Sequence, residues 1–314
     1  MYINASGFYI PFNRVSNDYF FNVNGLTSDW IVQRTGIHSR SKAGDDEDGI
    51  GMGKKAVAEA IKPLPYDVKE VDLIISGGYT PVDTVATLAH VIQREYNIKK
   101  AVTLMISSAC SSFVNALEIA EGYFCMNKAS KALIVCSEHN SLYNNETDPQ
   151  SGHLWGDAAV AMFVSKQRFC DDEFEILDIT TRGLGHVGKG VHGVYLRPKD
   201  EGLVMPDGRD VFMNATKYME EALQIVTERN AISIADLDYI IPHQANMRII
   251  DNMTQHLKFP EEKVLNNIHE YGNTGSASAV LVMLENKKRF KKGDNIALTV
   301  FGGGYSSGGV LIRV

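Results

Sequence analysis

Apolar and polar positions along this chain fall into two alternating patterns. Aliphatic, largely β-branched runs recur at Asp72-Leu-Ile-Ile-Ser, Ala101-Val-Thr-Leu-Met-Ile, Ala132-Leu-Ile-Val-Cys and Ala158 to Val164. They return at Phe174-Glu-Ile-Leu-Asp-Ile, Tyr239-Ile-Ile, Asn295-Ile-Ala-Leu-Thr-Val and Gly309-Val-Leu-Ile-Arg-Val. Runs of this kind predict strands covered on both faces. Between them, Phe113, Val114, Leu117 and Ala120 recur at helical spacing, as do Val211, Phe212, Ala215, Met219, Ala222, Leu223 and Val226. Strands alternating with helices predict an α/β layered fold.

The two halves repeat one order of elements. The first runs helix, strand (Val71-Asp-Leu-Ile-Ile), helix, short strand, a small-residue turn at Ser107–Ser112, helix and two apolar strands. The second runs helix (Asp210–Arg229), strand (Leu237-Asp-Tyr-Ile-Ile), a helix after Pro242, short strand (Val264-Leu), a small-residue turn at Gly272–Ser278, helix and two apolar strands. Self-similarity on this scale points to a duplicated domain, with halves at 1–165 and 166–314. Chance resemblance between generic α/β units is the alternative. Duplication would put Cys110 and the Gly272-Asn-Thr-Gly turn in equivalent places, each opening a helix.

Composition narrows the class. The chain has 314 residues, 44% hydrophobic and 22% charged, ordinary for a globular protein with room for a large core. Its longest apolar run, Ala158 to Val164, is far below the ~20 residues of a membrane span. No basic-then-apolar leader opens Met1-Tyr-Ile-Asn-Ala-Ser-Gly, and four cysteines do not make a disulfide framework, so a cytoplasmic location is expected. The net charge of −7 argues against nucleic-acid binding, which needs massed Lys and Arg.

Four segments carry candidate chemistry. Cys110, in Ile106-Ser-Ser-Ala-Cys-Ser-Ser-Phe, follows a strand and precedes an amphipathic helix, whose positive end would favour a nucleophilic thiolate. A small buried apolar residue is the plainer reading of this position, and the one adopted for Cys125, Cys136 and Cys170. His243, in Ile240-Ile-Pro-His-Gln-Ala-Asn, ends a strand, where α/β folds place their sites, although structural histidines also occur there. Asn273, in Tyr271-Gly-Asn-Thr-Gly-Ser-Ala-Ser, reads as a helix cap or as an amide donor; capping alone leaves Gly272 and Gly275 unexplained. Phe301-Gly-Gly-Gly-Tyr offers bare N–H groups suited to an oxyanion hole.

Pro242-His-Gln-Ala-Asn-Met-Arg, Gly272-Asn-Thr-Gly-Ser-Ala-Ser, Phe301-Gly-Gly-Gly-Tyr and Trp30-Ile-Val-Gln-Arg-Thr-Gly-Ile together resemble the signatures of the β-ketoacyl-ACP synthase III family. The resemblance spans essentially the whole chain and implies a duplicated thiolase-like fold, layered α-β-α-β-α. It implies a triad of Cys110, His243 and Asn273, an oxyanion hole from the N–H groups of Cys110 and Gly303, no cofactor and no metal. It also implies a homodimer, an acyl carrier protein partner, and acyl thioesters on coenzyme A or on that carrier. The reaction implied is decarboxylative condensation of an acyl primer with a malonyl thioester through an acyl-Cys110 intermediate.

Other positions match the family's binding residues or depart from them. Trp30 and Arg34 match those holding the nucleotide end of coenzyme A, but the Arg-Gly pair completing that clamp is missing from Asp148-Pro-Gln-Ser-Gly-His-Leu-Trp-Gly-Asp. Loss of a stacking guanidinium disfavours coenzyme A priming. Arg248, with Arg209, Lys258 and Asn246, would face the carrier, whereas usually basic positions read Met213, Gln255 and His256. The residue that walls the acyl pocket from across the dimer is usually aromatic and is Val85 here, which predicts room for a longer primer.

Several alternatives carry less. Gly183-Leu-Gly-His-Val-Gly matches a dinucleotide fingerprint but opens no helix. Asp45-Asp-Glu-Asp reads as acids ahead of a helix, His186 and His192 lack zinc-ligand spacing, and Lys287-Lys-Arg with Lys291-Lys closes a helix C-terminus or assists carrier docking. The order Cys, His, Asn also fits a papain-like peptidase, but the sequence around Cys110 does not. An acyltransferase using Cys110 without decarboxylation remains the main alternative; Asn273, a neutral donor, favours condensation. A non-catalytic subunit would not need an intact triad.

Overall fold

The computed structural model describes every residue from Met1 to Val314. Its strands in chain order are β1 (Tyr2–Tyr9), β2 (Asn13–Ser16), β3 (Ser39–Lys42), β4 (Leu73–Gly77), β5 (Val102–Ile106), β6 (Lys131–Glu138), β7 (Ala158–Ser165) and β8 (Phe174–Gly183). Then come β9 (Tyr195–Arg197), β10 (Gly202–Val204), β11 (Tyr239–Pro242), β12 (Asn295–Gly302) and β13 (Ser306–Arg313). The helices are α1 (Asn17–Asn24), α2 (Ser28–Thr35), α3 (Gly49–Ile61), α4 (Leu88–Glu95) and α5 (Ser112–Cys125). They continue with α6 (Asn140–Tyr143), α7 (Gly208–Arg229), α8 (Met247–Leu257), α9 (Ile268–Tyr271) and α10 (Ser278–Glu285).

Nine strands share one hydrogen-bonded order, β11-β12-β13-β8-β1-β7-β6-β4-β5. The link between β8 and β1 is slight: only Tyr2–Glu175 and Ile3–Phe174 pair there. The sheet therefore divides into two leaves. In each, two antiparallel pairings lead to parallel strands, the three strands β6–β4–β5 in one leaf and the pair β12–β11 in the other. A parallel bridge from Ile240 to Val264 extends the second leaf where the first has β5. The β2–β3 and β9–β10 ribbons stand apart.

Side-chain alternation makes the layers. Along β6, Ala132, Ile134 and Cys136 face one apolar cluster with α5 and α10, while Leu133 and Val135 face another with α3 and α4. Along β12, Ile296, Leu298 and Val300 join the α5–α10 cluster, while Ala297 and Phe301 face α7 and α8. The order is thus helices, leaf, helices, leaf, helices. The middle layer is largely apolar, as a helix packed on both sides must be. No helix is long and apolar enough to cross a membrane.

Each long apolar run expected as a strand overlaps one, whereas the short strand expected at Val264-Leu forms only an isolated bridge to Ile240; α7 matches the expected helix to within two residues. Cys136 is buried, but Cys125 and Cys170 are exposed, which corrects their reading as buried apolar residues. Cys125 closes α5 and Cys170 lies in a turn between β7 and β8, so neither apolar neighbourhood extends over the thiol. The Gly183–Gly188 segment leads only to a short 3-10 turn at Gly190–His192.

Candidate active site

Cys110, His243 and Asn273 line a single small cavity, joined by Trp155, Phe301 and Gly303. Three connections bring them there. Cys110 follows β5, in a turn where Ala109 takes a left-handed φ of 48°, two residues ahead of α5. A non-glycine residue held so is uncommon and marks a turn fixed by its surroundings. His243 leaves the end of β11, its N–H donating to Thr299 O at 2.8 Å. Asn273 precedes the 3-10 turn leading into α10, and its main chain is held on both sides: its N–H donates to Leu154 O at 2.8 Å and Gly156 N–H donates to its O at 2.9 Å.

The polar groups are aimed by their second contacts. Asn273 Oδ1 accepts from Gly275 N–H at 3.0 Å, which leaves the amide N–H pair for the cavity. His243 Nδ1 lies 2.6 Å from Ser278 Oγ, and that oxygen accepts from Gln244 N–H at 3.3 Å. With the hydroxyl donating to Nδ1, the ring proton belongs on Nε2, the tautomer that presents a donor to the cavity. Burial lowers His243 to about 3, so the ring is neutral at physiological pH. Both groups are therefore uncharged donors.

The sulfur is not held as a free thiolate. Burial and the negative charge of Glu138 push the Cys110 thiol up to about 12, against the pull of the Tyr79 phenol and the N–H groups of Cys110 and Gly303. This corrects the expectation from the helix terminus: α5 starts two residues on, and loss of solvent outweighs its dipole. Those two N–H groups still face the sulfur, where an oxyanion hole would be. Gly302 permits this approach, since a Cβ there would meet Cys110 N at 2.7 Å.

Glu138, on β6, went unnoticed in the sequence, as did Ser278 and Tyr79. Its carboxyl is completely buried and accepts from Ser276 Oγ, from Thr80 Oγ1 at 2.6 Å and N at 3.2 Å, and from Tyr79 N at 3.3 Å. Burial nonetheless raises it to about 7. Ser278 was readable as part of the Gly272–Ser278 turn; a carboxyl closing a strand gives no comparable signal.

The remaining candidates surround the cavity rather than line it. Arg209 and Arg248 are exposed in the first turns of α7 and α8, whose Val211, Ala215 and Ile249 form part of the wall. Asn246 caps α8, its Oδ1 accepting from Arg248 N–H at 2.9 Å. On α2 the Arg34 guanidinium lies 4.6 Å over the Trp30 ring, and His153 meets the same ring edge-on at 5.5 Å. Val85, on an exposed loop before α4, does not reach the cavity of its own chain. A second, larger cavity of about 620 Å³ shares Cys110, Trp155, Val194 and Gly303 with the first and extends along Tyr79, Leu196 and Leu203.

Comparison with known proteins identifies the family. The family description 3-oxoacyl-[acyl-carrier-protein] synthase III matches residues 105–185, and its C-terminal counterpart matches 227–314. The β-ketoacyl-[acyl-carrier-protein] synthase III of Acholeplasma laidlawii is 34% identical over 99% of this chain and 97% of its own length. The crystal structure of 3-oxoacyl-[acyl-carrier-protein] synthase III from Aquifex aeolicus superposes with a TM-score of 0.92 at 32% identity, covering 100% and 99% of the two chains. A priming β-ketosynthase from the R1128 polyketide pathway superposes at 0.89 with 28% identity, over 99% and 95%. In sequence throughout its length and in its duplicated thiolase-like fold, this chain belongs to the β-ketoacyl-ACP synthase III family.

Proposed function

We propose that this enzyme condenses an acyl thioester primer with a malonyl thioester, with loss of carbon dioxide, through an acyl group carried on Cys110. The observation that carries the reading is the convergence of two uncharged groups, His243 and Asn273, on a cavity shared with the thiol, and the donors we assign are His243 Nε2–H and Asn273 Nδ2–H. Such donors suit a malonyl thioester carbonyl that becomes an enolate, because neither has a proton to lose at working pH. Each is worth on the order of 10²–10³ in rate by analogy with oxyanion-hole donors.

Cys110 attacks the primer carbonyl, and the N–H groups of Cys110 and Gly303 hold the oxyanion. The carbonyl–sulfur bond to the carrier breaks, and the carrier leaves as a thiol with the proton that Cys110 gives up. The malonyl group then binds against His243 and Asn273 and loses carbon dioxide, and the enolate carbon attacks acyl-Cys110. Cys110 is released as a thiolate as the new carbon–carbon bond forms, and it takes a proton from solvent to regain its resting thiol. Primer and malonyl donor supply the reacting atoms, so the reaction as proposed needs no resident cofactor or metal.

The primer we assign is longer than acetyl. The 620 Å³ cavity is largely apolar, and Val85 is smaller than an aromatic residue. The carrier we assign is acyl carrier protein rather than coenzyme A. Arg34 lies over the Trp30 ring with His153 at its edge, and no second guanidinium packs on that ring. Arg209 and Arg248 beside the mouth supply positive charge for an acidic carrier on an enzyme whose net charge is −7. A homodimer, formed across the open edge of β5 with Val82 and Val85 exposed near it, completes this cytoplasmic assembly. Within each chain the nucleophile belongs to residues 1–165, and His243 and Asn273 to residues 166–314.

Intact-mass measurement tests the reading. After incubation with acyl-carrier thioesters of increasing length, Cys110 should carry the acyl mass, and malonyl-carrier protein should remove it with release of carbon dioxide. An adduct discharged by simple amines or alcohols, with no carbon dioxide, would establish plain acyl transfer instead.

A further inference from the structure

The phenol of Tyr79 is a buried polar group that the mechanism above does not use. Tyr79 follows β4, and its main-chain N–H is anchored on the Glu138 carboxyl at 3.3 Å. Its side chain forms part of the cavity wall that includes Cys110, and its Oη occupies space left by the absent side chain of Gly275, where a Cβ would lie 2.5 Å away. The hydroxyl is shut off from solvent and closes no well-formed hydrogen bond. Leaving a buried polar group unpaired is costly, so a partner in another state of the enzyme would account for it. The groups it faces are the Cys110 thiol and the side chain of Asn140, whose Oδ1 is also unpartnered.

We propose that Tyr79 is a further catalytic residue, donating its O–H to Cys110 Sγ whenever that sulfur carries negative charge. A thiol is a weak acceptor and a thiolate a strong one, so the bond strengthens as charge develops and stabilises the transition state more than the resting enzyme. Burial keeps the phenol protonated. The effect is felt twice. In acylation the hydrogen bond supports the sulfur as it gives up its proton, which ends on the departing carrier thiol. In condensation the new carbon–carbon bond forms, the Cys110 carbon–sulfur bond breaks, and the sulfur leaves as a thiolate accepting from Tyr79. The phenol keeps its own proton throughout.

This assignment rests on Cys110 being the nucleophile, and the test separates the two claims. Tyr79→Phe keeps the ring and removes the hydroxyl. The measurements are the rate of Cys110 acylation by an acyl-carrier thioester and the pH dependence of Cys110 alkylation by iodoacetamide. Glu138 and His243, the other titratable groups facing the sulfur, are common to both enzymes, so a shift isolates the phenol. We expect acylation on the order of tenfold slower and an alkylation midpoint about one pH unit higher, with Tm unchanged or raised. Placing 3-fluorotyrosine, a more acidic phenol, at position 79 should move the midpoint the other way. Unchanged rate and midpoint in Tyr79→Phe overturn the proposal. So does a loss confined to long acyl chains with an unmoved midpoint, which would make Tyr79 a wall residue only. If the unsubstituted enzyme acquires no adduct on Cys110, the Cys110 reading itself falls.

Discussion

Ser278 Oγ stands 2.6 Å from Nδ1 of His243 and also receives the Gln244 N–H at 3.3 Å; donating its own proton to Nδ1, it holds the imidazole proton on Nε2 in the tautomer we assign. Ser278→Ala frees the ring to adopt either tautomer. Malonyl decarboxylation should fall on the order of tenfold, about 1.4 kcal/mol, while primer loading on Cys110 stays near normal. Nitrogen-15 NMR of the imidazole would report the lost Nε2–H preference. Equal losses in both half-reactions would assign Ser278 a purely structural part.

The same ring sets a pH expectation. His243 is neutral in the folded state down to about 3, whereas an unfolded histidine protonates near 6.5. The unfolded chain therefore binds the extra proton across that interval, and the contribution of His243 to stability is lost as pH falls from 6.5 towards 3. Burial, with the nearby Arg40 charge, also lowers His153, to about 4, adding loss of the same sign. Activity, by contrast, should show no acid limb near pH 6 from His243. An imidazolium signal at pH 6 would refute this.

Glu138 carries the opposite sign. Its folded value of about 7 lies above the ordinary 4.5, so the stability associated with its protonated form is complete below 4.5 and lost as pH rises through 7. In Glu138→Gln that dependence disappears. The Tm of the variant relative to the parent should therefore rise between pH 5 and pH 7.5, and Cys110, relieved of a neighbouring charge, should alkylate at lower pH. A Tm difference that does not vary with pH would count against an ionising Glu138.

Gly302→Ala probes the oxyanion geometry. The new Cβ would stand 2.7 Å from Cys110 N, a main-chain atom with no freedom to swing aside. We predict loss of stability of about 1–3 kcal/mol from overpacking, and acylation reduced at least a hundredfold. Chemical denaturation and the mass assay measure the two separately.

Val85→Phe tests the primer assignment. If the loop bearing Val85 closes the acyl cavity of a second copy, loading of medium-chain thioesters should drop at least tenfold while acetyl loading is spared. An unchanged length profile would place the chain-length limit elsewhere, in the wall formed by Leu196 and Leu203.

The internal layering was legible because buried strands are written in unbroken aliphatic runs, and β4, β5, β6, β7, β12 and β13 all fall where those runs lie. The central strand β1 was not. Its sequence, Tyr-Ile-Asn-Ala-Ser-Gly-Phe-Tyr, holds small residues because α3 packs directly on its backbone; a Cβ on Gly7 would reach Ala60 N at 2.4 Å. Close packing of that kind removes the apolar signal. Local context marked Cys110, His243 and Asn273 as candidates, each with a plainer structural reading, and it was the resemblance of their segments to one family that joined them as a triad. Glu138 and Tyr79 escaped because their significance is set by what folds around them. The thiol was misjudged for the same reason: a helix terminus can be seen in sequence, but the extent of desolvation cannot.

Only two residue pairs tie β8 to β1, so the distance from sulfur to imidazole is not set by strand hydrogen bonding. It is set by the packing of the α5–α10 layer between the leaves, including Leu117 and Val280, together with the hydrogen bonds of Ser306 to Ser108 and of Asn273 to Leu154 and Gly156. Catalytic alignment in this enzyme is therefore as sensitive to a missing methyl group deep in that layer as to changes at the mouth of the site, and thinning the layer would spoil turnover before it unfolded the chain.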